Sequence, residues 1–391
     1  MLADRAQDAY APLLMTSLKN ISGTAMVMGA SGQDGYFLVD LLLRDGWLVH
    51  AITRRASIPE FAALDADRKA RLHIHQIDLL SPAPLFELIT RIQPDEFYNL
   101  AGQSSVSQSF SDPLYTWRTN AESVVHLLEC IRRSSPHTRF YQASSTDMFG
   151  IPASGAIVYN EDSALNPQSP YASAKAAAHL LCHSYREVYG LRIASGILSN
   201  HESHRRRESF LTPKVVEHVL ALKQLSPARI AAAEPLRLGN LKVQRDWGFA
   251  PDYVEGICSI IRQITTRTEV TGQLLESDQG GNYRDYVLAT GQTHAVWELV
   301  DCAFRIGGFS LAWELDGDDP ASWGGYFRST STPAVTVNPS LLRNAEPLVI
   351  RVDPSRARAE LGWEPRRGLE VFLKDMFDNM TSQRAVKSGA S

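Results

Sequence analysis

Residues 25–35 constrain this chain more than any other stretch. A short apolar run, Ala25-Met26-Val27-Met28, opens directly into Gly29-Ala30-Ser31-Gly32-Gln33-Asp34-Gly35, and an amphipathic segment follows. Glycines at that GxxGxxG spacing suit a chain that turns sharply from a buried strand into a helix and leaves backbone N–H groups at the positive helix end. Such a turn serves close packing as readily as it serves a ligand. Strand before, helix after and a repeat of the same unit downstream tilt the reading toward a dinucleotide pyrophosphate.

That repeat is visible from residue 24 onward, where short apolar runs alternate with longer amphipathic ones. Strands are predicted at 25–30, 48–53, 72–77, 96–100, 139–143 and 192–198, and helices at 36–44, 82–92, 115–133 and 172–189. The pattern predicts an α/β fold, a doubly wound parallel sheet (Rossmann) with a smaller interleaved substrate-binding lobe. Ligands then belong at the carboxyl ends of the strands. Beyond residue 198 the pattern loosens: helices at 213–223 and 251–264, a strand at 286–289, and a Gly/Ser/Pro-rich stretch at 307–333 read as loops of the lobe. The expected division is an N-terminal extension 1–23, a cofactor domain 24–198 to which segments around 246–305 return, a lobe from 199–245 and 306–380, and a tail 381–391. Extension and tail are expected to order poorly or to pack opportunistically.

Charge and composition remove other classes. With 39 Lys+Arg against 43 Asp+Glu the chain carries a formal net charge of −4, so no global positive field holds a nucleic-acid backbone. Cys130, Cys182, Cys258 and Cys302 lie far apart, without a CxxC pair or a histidine cluster, and read as reduced thiols of a cytoplasmic protein. His201-Glu202-Ser203-His204 spaces its histidines one residue short of HExxH, and no metal is expected. Apolar runs such as that around 41–43 fall short of the ~20 residues that span a bilayer. Asp4, Arg5 and Asp8 precede only a short apolar stretch at 10–15, which is no secretion signal.

The candidate cofactor residues start with Gly29, Gly32, Gln33, Asp34 and Gly35. After the second strand, where a carboxylate would grip the ribose of NAD, stand Arg54 and Arg55. Two guanidinium groups there suit the 2′-phosphate of NADP, or else form a solvated surface pair. Asp78, next to Leu79 after the third strand, is placed to accept from an adenine amino group or to cap a helix. Tyr171-Ala172-Ser173-Ala174-Lys175 is a YxxxK spacing that sets phenol and ammonium on one helix face, where the cation is expected to lower the phenol pKa for proton transfer. Ser145 and Asp147, ending the preceding strand, would face the same pocket. Arg205, Arg206 and Arg207 read as a clamp for a small phosphorylated ligand or as an exposed loop.

Together, the glycine turn, Tyr171/Lys175 and Phe140-Tyr141-Gln142-Ala143-Ser144 resemble the extended short-chain dehydrogenase/reductases that modify nucleotide sugars, and most closely the GDP-mannose 4,6-dehydratases. The resemblance runs from about residue 25 to 380 and rests on long strings: Gly32-Gln33-Asp34-Gly35, Tyr98-Asn99-Leu100, Asn200-His201-Glu202-Ser203, Arg245-Asp246-Trp247-Gly248, Asp252-Tyr253-Val254-Glu255, Ala289-Thr290-Gly291 and Leu361-Gly362-Trp363. It implies a hydro-lyase that oxidises the sugar at C4 with bound NADP, eliminates water across C5 and C6, and returns the hydride to C6. Carried over by position, Tyr171 is the base for the C4 hydroxyl, Lys175 tunes it and contacts the nicotinamide ribose, and Ser145 stands where the family has threonine. The GDP contacts fall on Asn200, Lys214, Arg245 and Arg343, with Glu346 accepting from guanine. The resemblance also implies a homodimer or homotetramer, with 54–57 matching an assembly loop.

This chain departs from the family's pattern inside the pocket. Asp147 replaces a glutamate, Ser105 a histidine, Ser199 a phenylalanine and Glu217 an arginine. Related reductases of GDP-keto-sugars carry aspartate at the position of Asp147, so a GDP-keto-sugar reductase or epimerase is the alternative to a dehydratase. A non-catalytic dinucleotide sensor would have no need of Tyr171 and Lys175.

Overall fold

Strand β1 (Thr24–Met28) is buried from Ala25 onward, and its side chains divide with a period of two: Ala25 and Val27 enter one apolar core, Met26 and Met28 another. A strand covered on both faces belongs in the middle of a parallel sheet. In the computed structural model, which describes residues 21–151, 157–270, 283–342 and 346–389, it lies there. The sheet runs β11 (Tyr286–Leu288), β7 (Ile193–Leu198), β5 (Arg139–Ser145), β4 (Glu96–Asn99), β1, β2 (Leu48–Thr53), β3 (Leu72–Gln76), all parallel. Phe97 and Phe140 face one core while their neighbours Tyr98 and Tyr141 face the other. Helices α1 (Gln33–Arg44) and α10 (Ala250–Val270) cover the first face; α3 (Pro82–Ile92), α6 (Ser123–Ser134) and α7 (Pro170–Tyr189) cover the second. The expected α/β class stands. Strand order reverses between β1 and β4, and a crevice opens there at the carboxyl ends.

A second core gathers α8 (Leu211–Leu222), α11 (Val296–Ile306) and α13 (Leu369–Gly389) against two small sheets. One joins β12 (Thr293–Ala295), β10 (Gln244–Phe249) and β8 (Asn200–Glu202); the other joins β13 (Leu311–Glu314), β14 (Gly324–Phe327), β15 (Pro333–Val337) and β9 (Leu236–Leu238). Only Ser199 separates the end of β7 from the start of β8, so the chain crosses from the large sheet to the second core at one residue.

Three expectations change. The helix predicted over 115–133 is present but not uniformly α-helical: Asp112 caps α5 (Pro113–Trp117), a π-helical turn spans Arg118–Glu122, and α6 continues from it without leaving helical backbone. The turn serves Asn120, whose buried amide accepts from the Gln103 N–H and donates to the Gln103 carbonyl, both at 2.8 Å, pinning the loop after β4. The stretch 307–333, expected as loops, holds β13, β14 and the start of β15. Gly325 within β14 marks a close approach rather than a turn, since a Cβ on it would lie 2.9 Å from the Trp313 ring. Finally, the expected tail continues α13 through Gly389, with Arg384 paired to Glu217 on α8. Residues 1–20 of the expected extension lie outside the described residues.

Candidate active site

Two cavities meet where β1, β4 and β5 end. The first, about 950 Å³, brings together Gly29, Gly32, Gln33, Asp34, Gly35, Arg54, Arg55, Asp78 and Leu79. Its floor is backbone. Gly29 sits at φ +88°, and a Cβ on it would meet Ala101 N at 2.9 Å; a Cβ on Gly35 would meet the Gly29 carbonyl oxygen at 2.2 Å. Gly32 starts α1 without a side-chain cap, so the first-turn N–H groups stay open to an anion. Arg54 donates to the Tyr115 hydroxyl at 2.9 Å, and Arg55 lies 3.9 Å from Glu60. Asp78 does not cap a helix: Ser81 holds that position for α3, and Asp78 accepts from Leu80 N at 2.9 Å within the turn.

The second cavity, about 660 Å³, is lined by Ser145, Asp147, Tyr171, Lys175, Asn200, Arg245 and Glu346 among others. Local sequence explains the delivery. Strand β5 ends at Ser145, and the Thr146–Phe149 3-10 turn carries Asp147 on, its N–H donating to Ser145 Oγ at 3.3 Å. Ser169 caps α7 by accepting from Ala172 N at 3.1 Å, with Pro170 in the first turn, so Tyr171 and Lys175 rise from the helix start on one face. Lys175 donates to the Ala143 carbonyl at 2.8 Å, and burial lowers its pKa to about 8.

Tyr171 goes the opposite way from the sequence expectation. Burial lifts its phenol well above the usual value, Asp147 and Asp34 lift it further, and the Ser145 hydrogen bond only partly offsets them. In the free protein it is a neutral phenol. It can act as a base only once it has given up its own proton, which added positive charge beside it would favour.

Asp34 and His201 join the cavities. His201 Nδ1 donates to the Ser199 carbonyl at 2.7 Å and Nε2 stands 3.0 Å from Asp34 Oδ2, so an ionised Asp34 requires an imidazolium. Although burial opposes both charges, their mutual attraction and hydrogen bond leave the Asp34 carboxyl below its ordinary value and the His201 imidazole above. Gln33 completes the clamp, donating to the His201 carbonyl at 3.0 Å and accepting from Ser203 Oγ at 2.8 Å. The glycine turn is thereby fastened to β8.

The substrate candidates divide. Arg245 donates to the Pro347 carbonyl at 2.9 Å and lies 3.9 Å from Glu346 across the cavity wall. Lys214 is exposed on α8, donates to the Arg237 carbonyl at 2.6 Å and lines neither cavity. Arg343 lies outside the described residues. Among the described residues no helix is long and apolar enough to cross a membrane and no cluster of three or more His, Cys, Asp or Glu could hold a metal ion.

Comparison with known proteins settles the lineage. The family model described as GDP-mannose 4,6 dehydratase matches residues 26–376. The chain belongs to this family. It is 37% identical over 360 residues to the GDP-mannose 4,6-dehydratase of Sinorhizobium fredii (strain HH103), covering 90% of this chain and 95% of that one. The Vibrio cholerae GDP-mannose 4,6-dehydratase is 34% identical, with 90% and 92% covered. Among solved structures, a dTDP-glucose 4,6-dehydratase of Streptomyces venezuelae with NAD and TYD bound superposes with a TM-score of 0.70 at 21% identity, covering 92% and 98%. RMD of Pseudomonas aeruginosa complexed with NADPH gives 0.67 at 22% identity, covering 92% and 99%. These likenesses show the shared fold, and the family membership makes the chain an enzyme.

Within the GDP-mannose 4,6 dehydratase family, this chain's departures find local partners. Ser105 caps the short α4 (Val106–Ser111), accepting from Gln108 N at 3.2 Å. Ser199 donates to Asp246 Oδ1 at 3.0 Å and shares a 2.5 Å hydrogen bond with the Tyr253 hydroxyl, while Tyr253 stacks on His201 at 4.7 Å. Glu217 lines neither cavity and is held by Arg384. Sequence reasoning weighed His201 and Glu202 only as a failed metal motif, although their string, Asn200 to Ser203, is part of the family resemblance and was the available signal.

Proposed function

We propose that the chain is an NADP-dependent 4,6-dehydratase of a GDP-hexose, GDP-mannose or a close relative, yielding a 4-keto-6-deoxy sugar nucleotide. The observation carrying this reading is one cavity in which Ser145, Asp147, Tyr171 and Lys175 stand together beside a glycine-built cleft, in a chain of this family. Solved neighbours with NAD or NADPH support a nicotinamide cofactor, and the residues present fit one: Gly29 and Gly35 keep the backbone approach open, and α1 offers uncapped N–H groups. Arg54 and Arg55, with no carboxylate at the end of β2, favour the 2′-phosphate of NADP.

When bound, the oxidised dinucleotide supplies the hydride acceptor and a positively charged ring. Tyr171 then takes the C4 hydroxyl proton, Ser145 holds that oxygen, and Lys175 keeps a cation on the same helix face. A C4 ketone acidifies the C5 proton enough for Asp147 to remove it and to protonate the departing C6 hydroxyl. Incubating cofactor-loaded enzyme with GDP-mannose should give the 4-keto-6-deoxy product without net change of NADP. Folded, loaded enzyme that forms no product overturns the reading.

The shorter Asp147 favours a second reading, a reductase or epimerase of a GDP-keto-sugar, because a misplacement of about 1 Å costs on the order of a hundredfold. That enzyme would consume NADPH, or invert C3 or C5 without losing water. Four buried free cysteines are in keeping with a cytoplasmic enzyme, and a homodimer or homotetramer through 54–57 belongs to the same proposal.

A further inference from the structure

We propose that the Asp34–His201 pair sets the oxidation state in which the nicotinamide cofactor is held, its carboxylate end favouring the oxidised, positively charged ring; the inference rests on the reading above. Five residues line both the glycine-built cleft and the cavity of Tyr171: Asp34, Leu100, Ser104, Arg206 and Phe210. A ring that reaches a sugar in the cavity from a dinucleotide in the cleft must cross this wall. Asp34 borders both spaces, whereas His201 borders only the sugar cavity. The pair is therefore an oriented dipole, negative at the crossing and positive toward the sugar.

Hydrogen bonds fix that orientation. Gln33 Nε2 donates to Asp34 Oδ1 at 3.1 Å and the imidazole meets Oδ2 at 3.0 Å, so both carboxylate oxygens have donors, the pattern an ionised group requires. Behind it, the Ser199 carbonyl accepts from His201 Nδ1 at 2.7 Å and keeps the ring from turning. Arg206, the other charged group on the wall, is opposed by Glu202 at 3.6 Å and packs its guanidinium on the Phe210 ring. Chain position separates the two charges. Asp34 belongs to the glycine turn itself, in the first turn of α1, where a dinucleotide approaches backbone; Arg206 lies in the loop after β8. Lys175, one helical turn beyond Tyr171, feels the Asp34 carboxylate, which raises its pKa against the lowering by burial. An opposite charge within about 4–6 Å favours an ionised form by about tenfold or more, and a cationic ring obeys the same rule.

Equilibrating the protein with equal, saturating NADP and NADPH, removing free dinucleotide by gel filtration and measuring both bound forms gives the ratio of the two affinities. Wild type should hold NADP in excess. Asp34→Asn, which keeps the shape and removes the charge, should shift the ratio about tenfold toward NADPH, and Asp34→Glu should keep part of the preference. A change that only loosens the cleft weakens both forms alike and leaves the ratio fixed. Arg55→Ala should behave that way, because the two forms share the 2′-phosphate. Wild type that prefers NADPH overturns the inference even where no variant folds. So does an Asp34→Asn ratio that stays put or moves toward NADP, or an equal shift in Arg55→Ala; in each case the dehydratase reading stands. A protein that binds no nicotinamide dinucleotide overturns the cofactor reading and the inference together. Binding of NAD in place of NADP overturns only the choice of dinucleotide, and the same ratio is then read with NAD and NADH.

Discussion

The glycine-built cleft and the cavity of Tyr171 and Asp147 share a wall, with Asp34 and Arg206 lining both, yet they are made of different material. The cleft is shaped by backbone: glycines whose missing Cβ atoms leave room, an uncapped helix start, and arginines at its edge. The cavity is shaped by buried charge, where Asp34 is neutralised by His201, Glu202 faces Arg206, and Lys175 and Tyr171 are displaced from their ordinary ionisation. A backbone device tolerates no side chain. A charge device tolerates substitution but changes with pH.

Breaking the backbone device should have the largest effect. In Gly35→Ala the new methyl would lie 2.2 Å from the Gly29 carbonyl oxygen. Because backbone faces backbone there, the cost should reach the upper end of the ~1–3 kcal/mol typical of overpacking, or exceed it. Thermal denaturation and dinucleotide titration should both show the loss; retained cofactor affinity would mean that the turn has slack. Tyr171→Phe should leave the cleft untouched, lowering kcat by about 10²–10⁴-fold while dinucleotide affinity holds.

Smaller effects sharpen the charge side. With the Lys175 pKa lowered to about 8, the ammonium is lost in the free enzyme at mildly alkaline pH, so kcat/KM should fall as pH rises through that value. A profile flat to pH 10 would remove Lys175 from the mechanism. His201→Gln should have the subtlest signature. The raised His201 pKa means that its contribution to stability is complete below its ordinary 6.5 and is lost as pH rises through the folded value. The lowered Asp34 pKa means a contribution complete above 3.8 and lost as pH falls through the folded value. Wild type should therefore exceed His201→Gln in denaturant stability most between pH 3.8 and 6.5, with the gap narrowing above; a gap that widens above pH 6.5 contradicts the ion pair.

The same contrast explains what the sequence disclosed. Gly29 to Gly35 and the alternating apolar runs are local patterns, so the sheet and its crevice were legible before any coordinates. Tyr171 and Lys175 were legible because four residues on a helix fix a common face. The ionisation of Tyr171 was not, since it depends first on its burial and then on Asp147 and Asp34 arriving from other elements. Likewise the Asp34–His201 clamp joins residues 167 positions apart, and no spacing rule reports it. Glycine in β14 was misread for the reverse reason: a local turn signal was overruled by the Trp313 ring it accommodates.

The central claim is that these residues carry out an internally balanced oxidation, dehydration and reduction on one GDP-hexose. The most direct measurement is mass spectrometry of the product from GDP-mannose in D2O, with enzyme and NADP both far below the sugar concentration. The prediction is complete conversion to a sugar nucleotide lighter by one water, carrying a solvent deuteron at C5, with no accumulation of NADPH. A product that keeps its water, or conversion limited by the NADP or NADPH supplied, would contradict it.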